Sequence, residues 1–173
     1  MKPYPSGRAS HAALGKLHEL APDPNAVAAI ELACPPLIRR LVDRPYDPAM
    51  RPAWARLCLP WLAALMLTDR RIDPRRFSAA DIADPRLGTL AGKVRLVDDR
   101  NPDPNALFPQ RLSLRLHDTH VEDHVIAHTL GSPQNPLSTA QAADKLTLAR
   151  EIAPPDADAR LFIDPLAYFT EPR

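Results

Sequence analysis

Residues able to do chemistry crowd the start of the chain: Lys2, Tyr4, Ser6, Arg8, Ser10 and His11. They lead into a stretch where Ala13, Leu14, Leu17 and Leu20 share one face, which predicts a helix with Ser10 as its N-cap. Free backbone donors at a helix start, with Lys2 and Arg8 nearby, suit a carboxylate or another anion. The same positive groups lower the proton affinity of His11. That favours a neutral imidazole able to act as a base. A surface arm leading into a capped helix accounts for the same residues, and on their types alone it is the simpler reading.

Other constellations carry less. His120, His124 and His128 recur every four residues, with Glu122 and Asp123 between them. On a helix they would share a face and could hold a metal. The region reads as a strand, where four residues cover ~13 Å, more than ligands at ~2 Å from one zinc ion can span. Solvated histidines are expected, with no metal site. Arg70, Arg71, Arg75 and Arg76 read as a solvated corner. No Gly-rich phosphate loop and no Gly-x-Ser-x-Gly elbow is present.

The elements that must position these residues begin with the apolar stretch 53–69, which has no charge between positions 57 and 67. A helix apolar on all sides is buried, and this one is too short to span a bilayer. Pro60 predicts a kink or a join between two helices near 56–60. Arg56 and Trp61 flank that break, which either presents a polar group to a cavity or reflects irregular packing, the simpler alternative. Strands are expected at 26–34, 93–98, 111–117 and 121–130, the last two antiparallel. Short helices are expected at 35–42, 78–82 and 85–92. Ser138 and Gln141 fit a capping box. It opens a helix to about Ile152, with Leu146 and Ile152 toward the core. The tail carries Leu161, Phe162, Ile163, Tyr168 and Phe169, enough apolar surface to dock. The fold class is α+β, a small antiparallel sheet packed with helices.

The length fits one domain, 1–153, followed by a docking tail, 154–173. A net charge of +1 argues against nucleic acid or a membrane as partner. Cys34 and Cys58 form no ligand motif and no disulfide framework. With no secretion signal at the N-terminus, a cytoplasmic location is expected.

The segment KPYPSGRASHAAL resembles the opening of the C-terminal domain of the MmgE/PrpD family, the 2-methylcitrate dehydratases, cis-aconitate decarboxylases and related enzymes. Val42-Asp43-Arg44-Pro45, the stretch around Pro60, and Gly131-Ser132-Pro133 through Pro136-Leu137-Ser138 with Lys145 resemble further family motifs in the same order. The resemblance implies a lyase acting on a small di- or tricarboxylate, commonly as a homodimer, without metal or organic cofactor. It implies Lys2 as a catalytic, carboxylate-binding lysine, and Arg8 and His11 as residues lining or supporting the site. Trp61 stands at the position of a family tyrosine and is taken as substrate-binding. Gly7 stands where many members have cysteine or an active-site histidine, and Cys58 and Arg56 replace a serine and a lysine. An N-terminal all-helical domain, expected to be absent here, would supply the other half of the site, as a separate subunit for example. The chain alone is therefore expected to be inactive. A non-catalytic binding or assembly module that keeps the fold is the alternative.

Overall fold

The computed structural model describes residues 2–170; Met1 and the end of the expected tail, 171–173, lie outside the described residues. At its centre is α4 (Leu59–Asp69), where every residue from Leu59 to Leu67 is buried. A helix without a polar face has no side to give to water. Pro60 stands in its first turn, where a missing N–H leaves no hydrogen bond unmade. The expected break is therefore a join. Helix α3 (Pro52–Ala55) ends, Cys58 is extended, and α4 starts afresh. Arg70 closes α4 in the left-handed region, at φ 58°.

A 3-10 turn at Arg8–Ser10 runs into α1 (His11–Leu20), which buries Ala12, Ala13, Leu14 and Leu17 and packs on α4. Ser10 holds the N-cap position without capping it. Its backbone is already helical, and its hydroxyl donates to the Gly7 carbonyl at 2.7 Å.

Strands β1 (Val27–Cys34), β2 (Val94–Asp98), β3 (Gln110–Leu116) and β4 (Val121–Ile126) form one sheet in the order β2-β1-β3-β4. The fold is α+β. The sheet is mixed, however, because β2 runs parallel to β1 while β3 is antiparallel to both β1 and β4. Parallel neighbours need a long crossover. Here it carries α2 (Pro36–Val42), α3, α4, α5 (Ala79–Ile82) and α6 (Pro85–Ala91). Across the register, Ile30 and Leu32 meet Val94 and Leu96 on one side and Leu114 and Leu112 on the other. All six are buried, one apolar layer beneath α1 and α4. The opposite face holds an Arg95–Glu31 ion pair and a hydrogen bond from Ser113 to Asp123.

Helix α7 (Thr139–Ile152) opens with the expected capping box, yet none of its residues is buried. Leu146 is only half-buried, and Ile152 is 41% exposed. The core-facing roles expected for them do not hold, because α1 and α4 already cover the apolar layer. The tail docks only in part. A 3-10 turn at Ala159–Phe162 packs on α7 and α8 (Pro165–Thr170) on that turn, while Ile163 and Phe169 remain exposed. Among the described residues no helix is long and apolar enough to cross a membrane.

Candidate functional site

The N-terminal arm is stitched to the α3–α4 join. The Gly7 N–H donates to the Arg56 carbonyl at 3.0 Å, and Arg56 Nη1 donates back to the Pro5 carbonyl at 2.9 Å. The Arg56 guanidinium lies 4.4 Å over the Phe77 ring, which fixes its direction. Glycine permits the close approach: a Cβ at position 7 would stand 2.9 Å from Leu57 Cδ2. Behind the arm, the Ser6 and Ser10 hydroxyls share a buried hydrogen bond of 2.9 Å. The Ser10 and His11 N–H groups are spent inside the 3-10 turn, on Gly7 and Arg8. The helix start therefore offers fewer free donors to an anion than the sequence suggested.

His11 is 1% exposed. Its ring meets Tyr4 edge-on at 5.6 Å between centroids and hydrogen-bonds the Ser6 backbone. Nε2 is buried with no partner among the described residues. Burial, chiefly, pushes its proton affinity down to about 4; Lys2, Arg8 and Lys145 lower it further, against the Ser6 bond that raises it. The lowered proton affinity favours a neutral His11 imidazole at pH 7, and enclosure does more to lower it than the cations. Lys2 and Arg8 are exposed, and both act on His11 through their charge. Tyr4 is half-buried, and burial raises its phenol to about 12, so it stays a proton donor across the physiological range.

Trp61 does not join this group. It has no accessible surface, its indole nitrogen has no described partner, and it packs against Phe77 at 5.2 Å between centroids. Like His11, Trp61 is enclosed here and presents no surface to a ligand. His120 and His124 both point at Glu122, at 3.1 and 3.2 Å, while His128 lies edge-on to Phe108 beyond the end of β4. Among the described residues no group of three or more possible ligands could hold a metal. The basic corner is committed, not merely solvated. Arg75 and Arg71 bridge Asp73 and Glu151, and Arg76 bridges Asp69 and Asp81. The Arg75 hydrogen bonds, first among the causes, hold the Asp73 carboxyl below its usual range.

A cavity of about 410 Å³ lies between the arm, the end of α4 and α7. Tyr4, Arg70, Leu130, Gln141, Lys145 and Leu148 are among its walls. Tyr4 and Lys145 are the residues sequence reasoning underrated. Tyr4 was visible in the N-terminal cluster. Lys145 lies one turn after Gln141, so the capping box that starts α7 also sets the face Lys145 occupies. Residues 4–163 match the family model of the MmgE/PrpD C-terminal domain. No curated protein matches the chain.

Proposed function

The chain belongs to the MmgE/PrpD family, and from that premise we propose that it is the C-terminal half of a lyase acting on a small di- or tricarboxylate. A helical N-terminal half completes the site, and a homo-oligomer in a reducing cytoplasm is the working form. The observation that carries this reading is a buried imidazole, neutral at pH 7, in the field of three cations. Lys2 and Arg8 hold the carboxylates, and their charge favours the carbanion-like state that forms as a proton leaves. From a hydroxy acid such as 2-methylcitrate, His11 Nε2 takes that proton from the carbon beside the carboxylate, and the adjacent hydroxyl departs as water with a proton from the other half; from cis-aconitate, which has no hydroxyl, CO2 leaves instead and a proton is delivered to carbon. The arm must shift for this, because Nε2 is enclosed here. Pairing the chain with a helical half should give turnover of 2-methylcitrate or cis-aconitate, abolished by Lys2→Ala or His11→Asn. No turnover from the pair, beside a working two-domain relative, would sink the proposal.

A second reading, a binding module without chemistry, is favoured by two observations. Leu57 fills the space beside Gly7, where relatives carry a reactive side chain, and Trp61 is sealed in the core. Under that reading Lys2→Ala leaves every measured property of the pair unchanged.

A further inference from the structure

We infer that the cavity beneath α7 binds a carboxylate bearing an apolar substituent several carbons long. Lys2, Arg8 and His11 do not line this cavity, so its ligand is separate from the substrate of the lyase reading above and does not rest on that reading. Its volume of about 410 Å³ falls within the range of small-molecule sites, ~300–1,000 Å³. One face of α7 lines it through Gln141, Lys145, Leu148 and Ile152, spaced four, three and four residues apart. No residue of this helix is buried, so α7 forms a wall and fills no core.

The charges in the lining are unevenly paired. Asp69 is held by Arg76, and Glu151 by Arg71 and Arg75. Lys145 makes no ion pair among the described residues, and the Arg70 guanidinium meets only the Pro22 carbonyl, at 2.7 Å, with Nη1 left without a partner. Against these two cations stands one acid without an ion pair, Asp144. Arg76 is shared between Asp69 and Asp81, so the ionic groups balance overall; what suits a carboxylate is that the Lys145 ammonium and Arg70 Nη1 are left as unpaired donors. The Tyr4 phenol is a donor beside it that no described residue engages. Much of the remaining wall is apolar, with Ile72, Leu130, Leu137 and Leu148, and a compact polyanion would leave that surface wet.

The test is a titration of the isotopically labelled chain with 2-hexylsuccinate, succinate and hexylammonium, followed by NMR. The hexyl compound should bind at least about tenfold tighter than succinate, and shift signals of Tyr4, Lys145 and Leu148. Hexylammonium should not bind. Lys145→Met, on an unburied helix face, should keep the fold and weaken 2-hexylsuccinate about tenfold. Equal affinity for succinate, an unaffected Lys145→Met variant, or shifts confined to Lys2, Arg8 and His11 would overturn the inference, even if the reconstituted pair turns over. Binding in the cavity by a pair that does not turn over supports the inference and overturns the lyase reading instead.

Discussion

Helices α4 and α7 have similar lengths, 11 and 14 residues, and are held in place by opposite means. Helix α4 is fixed by what surrounds it, since nine consecutive residues are out of water. Helix α7 is fixed at its two ends. Ser138 and Gln141 cap the first turn, and Glu151 reaches Arg75 at 3.0 Å and Arg71 at 3.8 Å near the last. Burial is strong and insensitive to salt, whereas caps and exposed ion pairs contribute little each and are screened. The first helix sets whether the domain folds. The second sets the shape of a cavity and can be altered without unfolding the rest.

That contrast can be broken or sharpened by experiment, largest effect first. Leu65→Ala, at a site with no exposure, should cost about 2–5 kcal/mol in urea denaturation. A loss under about 1 kcal/mol would mean that α4 is not the keystone. Next is His11, at the junction of arm and α1. Its folded proton affinity, about 4, lies below the ordinary 6.5. Between those values the unfolded chain binds more protons, so stability falls as pH drops from about 6.5 toward 4 and the contribution is gone below that range. The full effect is on the order of 3 kcal/mol. Denaturation across that pH range should show a shallower slope for His11→Gln, and an identical slope would refute it.

Ser138→Ala should cost about 1 kcal/mol. Amide exchange should locate that loss in α7 while α4 protection stays unchanged. Exchange rising equally in both helices would erase the distinction. Smallest of all, Glu151→Gln should cost less than about 1 kcal/mol, since its side chain is 41% exposed. The effect should vanish in high salt; a cost that persists there would show the contact to be more than electrostatic.

The same contrast explains what could be read from the residues. Uninterrupted apolar character has one structural outcome, so the burial of α4 and the join before it were legible, and so were the alternating leucines of β3. The direction of β2 was not, because a short alternating run looks the same in either orientation. Leu146 and Ile152 misled because an apolar residue on a capped helix says that a face is covered, not by what. Here Ile152 meets a cavity. At the site, the influence of the Lys2 and Arg8 charges on His11 was legible because few residues separate them along the chain. The burial of Trp61 was not, because family position locates a residue on its helix without saying whether the helix turns that side chain outward.

The close seat of Gly7 couples this position to its neighbour. The first carbon added at position 7 has to displace the tip of Leu57, and Val42 Cγ1 stands 3.4 Å away on another side. Leu57 is only half-buried and meets that carbon with the flexible end of its side chain, so a larger residue at position 7 is accommodated by turning Leu57 aside. The residue chosen at position 7 is expected to set the rotamer of Leu57, and through it the packing where the arm meets the helix join.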